Sequence, residues 1–175
     1  FSTLSQSDYL LGHHNLEWSR LEQQHQLWGH TILRTLKELG LSAGHRCLEI
    51  GCGTGALLED LAELVGPTGL AVGMEQNADG VRVSAERCRL LSQARVLQRD
   101  VLTDKLDGPY DFIVARWVFS FFPDVAAALD RLKAALKPDG CLVVQDYNHD
   151  GFRVFPDCNG FDQVVNAYRS AYKAK

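Results

Sequence analysis

The stretch Cys47-Leu48-Glu49-Ile50-Gly51-Cys52-Gly53-Thr54-Gly55 sets an acidic residue inside a short apolar run, with glycine at alternate positions behind it. Glycines so spaced allow positive φ and let a ligand approach backbone that carries no Cβ. The amides of such a loop, and of a helix that follows it, then point at the ligand, which suits a nucleotide. Glu75 stands 20 residues after Gly55, at the end of the next apolar run. A carboxylate there accepts hydrogen bonds from both hydroxyls of a ribose. Asp100 ends a third run and is placed to accept from an adenine amino group, with Val101 or Leu102 against the ring; a plain turn aspartate fits the same spacing. Asp146, Tyr147 and His149 follow a later run, where a general base would sit if an acceptor required one; an exposed loop histidine is the other reading. Ala56 formally completes the longer Gly-x-Gly-x-x-Ala pattern of dinucleotide sites, so the glycines by themselves leave the nucleotide open.

These residues need strands to carry them and helices to cover the strands. The 175 residues are 46% hydrophobic, enough for one domain with a sizeable core. Apolar spacing predicts a helix from Asn15 to Leu39, with Leu21, Trp28, Ile32, Leu36 and Leu39 on one stripe. A strand from His45 to Ile50 follows, then a helix from Ala56 to Val65 and a strand from Leu70 to Met74. Asn77 reads as the N-cap of a helix that buries Ala78, Val81, Ala85 and Cys88. Further strands are predicted at 95–98, 110–115 and 141–145. A helix after Pro123 carries Val125, Leu129, Leu132 and Leu136, and Pro138-Asp139-Gly140 turns into the last strand. A final helix presents Phe161, Val164, Val165, Tyr168 and Tyr172. Alternating strands and helices predict a parallel sheet covered on both faces, with ligands at the carboxyl ends of its strands.

Composition removes several function classes. The formal net charge is -4, and Arg82, Arg87, Arg89, Arg95 and Arg99 are spread among acidic residues, which speaks against nucleic acid as a partner. The five cysteines are odd in number and form no CxxC pair, which fits a reducing compartment and argues against zinc. His13, His14, His25, His30 and His45 show no ligand spacing, so no metal site is expected. No apolar run is long enough to span a membrane and no signal peptide is visible, so a cytoplasmic location is expected.

Leu48 to Gly55 closely resembles motif I of the class I S-adenosylmethionine-dependent methyltransferases. Glu75 matches the ribose acid of that family, and Arg99-Asp100-Val101 resembles its adenine-side motif. Tyr110-Asp111-Phe112-Ile113-Val114 and Leu136-Lys137-Pro138-Asp139-Gly140 resemble its fourth strand and the turn before its fifth. Tyr9-Leu10-Leu11-Gly12, with Arg20-Leu21 and Gln24, is similar to the N-terminal cap of bacterial small-molecule members. The resemblance covers about residues 41–147. It implies a Rossmann-like, doubly wound, mostly parallel α/β sheet in the order 3-2-1-4-5, with a helical cap over 1–40 and the cofactor domain over 41–175. The implied cofactor is S-adenosyl-L-methionine. Glu49, Gly51 and Gly53, with Cys52 between the glycines, would surround its methionine part. Glu75 would hold the ribose, Gln76 would flank the adenine, and Asp100 and Val101 would contact the base. Arg116 and Trp117 would face the sulfonium end, and Tyr9 and Arg20 would reach the cofactor carboxylate.

The implied reaction is in-line transfer of a methyl group to a small-molecule acceptor. Alignment and exclusion of water are then the protein's main tasks. Asp146 and His149 are the candidate catalytic bases. The segment Arg116-Trp117-Val118-Phe119-Ser120-Phe121-Phe122 lacks the Asn/Asp-Pro-Pro-Tyr motif that grips a planar amine. Its aromatics wall an apolar acceptor pocket or pack beneath the next helix. The alternatives are an NAD-dependent oxidoreductase, for which no Tyr-x-x-x-Lys pair is present, and a non-catalytic cofactor- or partner-binding protein. Only 29 residues follow Asp146, so the family's terminal strands are expected to be missing, as in a fragment truncated at its C-terminus. The edge of the fifth strand would then be uncovered and open to a second copy, giving a homo-oligomer.

Overall fold

The computed structural model describes residues 15–148 and 151–173. Phe1–Gln145 and Asp146–Lys175 form two compact units. In the first, β1 (Arg46–Ile50), β2 (Leu70–Glu75), β3 (Ala94–Gln98), β4 (Tyr110–Arg116) and β5 (Leu136–Gln145) make one parallel sheet in the order β3-β2-β1-β4-β5. The helices are α1 (Asn15–Glu38), α2 (Ala56–Val65), α3 (Ala78–Arg87) and α4 (Val125–Ala135), and a short 3-10 turn spans Phe119–Phe121. The expected Rossmann-like order is therefore the observed one. Strand order reverses between β1 and β4, so a crevice opens at their carboxyl ends. The second unit carries α5 (Phe161–Lys173), close to where the apolar spacing placed a last helix.

Side chains alternate across a strand, and this sorts the core by face. Cys47, Phe112, Val114 and Val143 share one cluster with Ile32 and Leu36 of α1 and Leu57, Leu58 and Leu61 of α2. Leu48, Ile50, Ile113 and Ala115 share the other with Leu132 and Ala135 of α4. By the same alternation Glu49 and Arg116 fall on the face covered by α1 and α2, at its carboxyl end.

Three helices are rotated from the faces expected. On α1, Ile32 and Leu36 are buried with Gly29, while Trp28 and Leu39 are about half exposed. On α3 the buried residues are Gly80 and Ser84, followed by Cys88, and not Ala78 or Ala85. On α4 they are Ala128, Leu132 and Ala135, with Val125 and Leu129 largely outside. In each case a small residue lies at the contact, where it lets the helix backbone come close. Hydrophobic spacing weighs large side chains and misses such contacts. The strand β5 also begins earlier than expected. Tyr110 pairs with Leu136 and Phe112 with Cys141, so Lys137 to Gly140 bulge within the ladder instead of preceding it.

Asn77 caps α3 as expected, its Oδ1 accepting from Asp79 N at 2.9 Å and Gly80 N at 3.0 Å. Arg87, at the other end of α3, ties three elements together. Its Nε donates to Thr54 O at 3.0 Å, Nη1 to Glu59 of α2 at 3.2 Å and Nη2 to Glu22 of α1 at 2.5 Å. Burial pushes the Glu22 carboxyl up, but its bonds to Thr54 and Arg87 outweigh this and hold it below the ordinary value.

Gly55 joins the loop to α2 with φ 77°, and a Cβ there would stand 2.8 Å from Ser84 Cβ and 2.9 Å from Ser84 Cα. Left-handed backbone and overpacking both penalise a side chain. Gly55→Ala is expected to destabilise the fold by about 2–4 kcal/mol in urea unfolding. An unchanged midpoint would show that α2 and α3 separate without cost.

Candidate functional site

The glycine loop leaves the end of β1 and turns beside the end of β2. Gly51 N and Cys52 N donate to Met74 O at 2.8 and 3.1 Å, and Gly55 N donates to Cys52 O at 2.8 Å. Gly53 N donates to Glu75 Oε2 at 3.0 Å, while Glu75 Oε1 accepts from Asn77 N at 2.9 Å. These four loop amides are therefore bound within the protein. The expectation that the loop's amides would face a ligand does not hold for them, because the strand end of β2 takes three and the loop's own Cys52 carbonyl takes that of Gly55. Glu75 still has lone pairs free on both oxygens, since a carboxylate offers about four acceptor sites. Gly53, at φ 52°, has only Leu21 Cδ1 of α1 within reach of a Cβ, at 3.5 Å, so its outer face is open.

Glu49 is the anomaly of the site. It is 2% exposed, and its Oε2 is buried with no hydrogen-bond partner. Burial raises its pKa from 4.5 to about 8; Arg116 pulls it down, while Glu75 and Asp60 push it up. Burial likewise lowers Arg116 below its ordinary value, against the pull of Glu49, Asp60 and Glu22. Both partners are shifted toward neutrality, so desolvation outweighs their mutual attraction. An unpartnered buried carboxylate oxygen beside a guanidinium needs a donor of opposite charge. The ammonium group of an amino acid fits Glu49, and its carboxylate fits Arg116. The methionyl end of S-adenosylmethionine carries both, and the residues present fit it.

Arg116 is held on its other side by α1. Its Nη1 lies 3.0 Å from His25 Nδ1, and His25 Nε2 lies 3.0 Å from Asp60 Oδ2 of α2. The guanidinium also stands 5.0 Å from the Trp117 ring centroid. Trp117 is the one non-glycine residue with positive φ, 55°, among the described residues. Val118 closes on the loop, since a Cβ at Gly51 would meet its Cγ1 at 2.5 Å. Val118, Phe119 and Phe122 pack against the core, with Phe119 and Phe122 edge to face at 5.3 Å, and Phe121 is 39% exposed.

The structure thus brings Glu49, Gly51, Cys52, Gly53, Glu75, Arg116 and Trp117 to one end of the sheet. Cys52 is buried, its Sγ 3.8 Å from Ser84 Oγ, and burial pushes its thiol well up, so it packs and does not react. Gln76 is exposed beside Glu75. Asp100 follows β3, and its Oδ1 accepts from Leu102 N at 2.7 Å. The Val101 side chain is in the core and Leu102 is half-buried. Arg20 is forked onto Glu17 of its own helix at 2.7 and 2.8 Å. Asp146 belongs to the second unit, where its Oδ1 accepts from Tyr147 N. Tyr9 and His149 lie outside the described residues. His25 and Asp60 were not found from sequence. The one signal was Gly29, a glycine in the interior of α1 one turn beyond His25, which marks a close approach. Among the described residues, no His, Cys, Asp and Glu cluster could hold a metal ion, and no helix is long and apolar enough to cross a membrane.

A parallel sheet in this order, with a glycine loop after β1 and an acid after β2, has the Rossmann-like architecture of class I S-adenosylmethionine-dependent methyltransferases. The family model described as "Methyltransferase domain" matches residues 20–170, and the chain belongs to that family. A demethylmenaquinone methyltransferase of Staphylococcus aureus is 26% identical over 134 residues, which are 76% of this chain and 54% of that protein. The chain spans about half the length of the curated relatives it matches. Among solved structures, a SAM-dependent methyltransferase from Aquifex aeolicus superposes with a TM-score of 0.70 at 22% identity, over 92% of this chain and 88% of that one. Coclaurine N-methyltransferase, bound to N-methylheliamine and SAH, gives 0.60 at 20% identity over 66% and 34%.

The pH dependence of folding reports on Glu49. Between 4.5 and about 8 the folded chain binds its proton and the unfolded chain does not. Stability therefore falls as pH rises through that window, by about 1.4 kcal/mol per unit, and levels off above it. Without ligand, the wild type should lose on the order of 2–5 kcal/mol more than Glu49→Gln between about pH 5 and pH 9 in urea unfolding. Parallel profiles would place the buried proton elsewhere.

Proposed function

We propose that this chain is the cofactor-binding part of an S-adenosylmethionine-dependent methyltransferase that acts on a small, largely apolar molecule. The observation that carries the reading is the buried, unpartnered Oε2 of Glu49 beside Arg116. Glu49 accepts from the ammonium of the methionyl end, and Arg116 meets its α-carboxylate. This role for Arg116 replaces the sulfonium-facing one, since like charges side by side are unfavourable. It also relieves Arg20, which is engaged by Glu17. Glu75 accepts from the ribose hydroxyls, and Asp100 and Gln76 flank the adenine, with Leu102 against the ring.

When bound, the cofactor supplies a methyl group already activated on a sulfonium. The chain aligns the acceptor with it and keeps water out. Trp117 and Phe121 are the proposed contacts for the acceptor's apolar body. Asp146 and His149 are the proposed bases for an acceptor that must lose a proton. The small-molecule class is supported by the demethylmenaquinone enzymes and by the absence of the planar-amine motif. A cytoplasmic location and pairing of the outer strand β5 with a second copy belong to the same reading. NAD is disfavoured, because the amides of Gly51, Cys52, Gly53 and Gly55 that a pyrophosphate would use are committed within the protein.

Calorimetry with S-adenosylmethionine and with NAD tests the cofactor, and tighter binding of NAD would reverse the assignment. Labelled cofactor incubated with metabolite pools, followed by mass spectrometry, tests transfer; binding without turnover would mark a sensor. Glu75→Ala should weaken S-adenosylmethionine binding by on the order of 2–4 kcal/mol, from the loss of two charge-assisted hydrogen bonds. Gly53→Val should do at least as much harm, because its side chain fills the open face under Leu21. Full affinity in that variant would move the site away from the loop.

A further inference from the structure

We propose that His25 is a positioning residue: held in one tautomer by Asp60, it fixes the guanidinium of Arg116, whose charge acts on Glu49, and joins α1 to the methionyl end of the site. The inference rests on the cofactor reading above. An arginine only donates, so His25 Nδ1, 3.0 Å from Arg116 Nη1, must accept. The imidazole proton then sits on Nε2 and is donated to Asp60 Oδ2 at 3.0 Å. One ring thereby connects α1, α2 and the end of β4. Its side chain is 17% exposed and that of Asp60 30%.

Gly29 supplies an independent sign that the ring's place matters. It is buried one turn after His25, and a Cβ there would lie 2.8 Å from His25 Cε1 and 3.1 Å from both ring nitrogens. Glycine in a helix interior is unfavourable. Here it leaves room for the imidazole, and any larger residue pushes the ring off Arg116.

The charged groups around His25 are Asp60 on α2, Arg116 on β4, Glu22 on α1 and, beyond Arg116, Glu49 on β1. A second proton on the ring turns Nδ1 into a donor that faces another donor and adds a like charge beside the guanidinium. Arg116 is then displaced from the α-carboxylate it would meet. The accepting role of Nδ1 toward Arg116 therefore belongs to the neutral ring.

Calorimetry with S-adenosylhomocysteine, which carries the same ammonium and carboxylate and does not turn over, tests this at about pH 8, where an unperturbed imidazole is neutral. His25→Asn places an amide oxygen where Nδ1 stood and does not titrate. It should stay within about threefold of wild type at pH 8. His25→Leu should lose about tenfold or more at pH 8. Gly29→Ala should melt no lower than wild type, since alanine favours helix, and yet bind more weakly. Equal affinities across these variants, or a Gly29→Ala loss that merely follows a lower melting temperature, would overturn the positioning role and leave the cofactor reading standing. No binding by the wild type would overturn both.

Discussion

A carboxyl group buried without a partner at the end of β1 sets the terms for the rest of this molecule. Taking a carboxylate out of water costs several kcal/mol unless charge and hydrogen bonds compensate. Glu49 meets that cost in part by keeping its proton to about pH 8, and in part through the guanidinium of Arg116. Neither is sufficient, because Arg116 is itself desolvated and shifted toward neutrality. The result is a polar centre inside an apolar face, which the proposed ligand, carrying both charges, would complete. On that proposal the energetics of the fold are tied to what it binds.

The glycine loop contributes shape more than hydrogen bonds. Gly51 and Cys52 give their amides to Met74, Gly53 to Glu75 and Gly55 to Cys52. A phosphate site needs such amides pointing outward. With them turned inward, the loop is not a phosphate cradle, and the ligand proposed for the crevice is one whose recognised groups are an ammonium and a pair of hydroxyls. The fold alone would not separate these possibilities, since Rossmann-like sheets carry both kinds of ligand.

The helix α1 is held over this crevice by polar ties as well as by packing. Its apolar contact is narrow, with Ile32 and Leu36 buried and Trp28 half outside. Toward its N-terminal half, Glu22 reaches Arg87 and His25 reaches both Arg116 and Asp60. Such ties depend on geometry and charge state, whereas apolar burial does not.

The order of elements, the glycine loop, Glu49 and Glu75 were legible in the sequence because each depends on local chemistry. Periodicity marks strands and helices, glycine spacing marks a turn, and an acid at a strand end lies beside the crevice whatever packs around it. The register of β5, the small-residue faces of α3 and α4 and the inward turn of the loop amides were not legible. They follow from how closely backbones approach, which side-chain hydrophobicity does not encode. The link from Asp60 through His25 to Arg116 joins residues 35 and 91 positions apart in the chain. No local pattern connects them. Only the packing of α1 and α2 on the face that alternation gives to Glu49 and Arg116 brings them within hydrogen-bond distance.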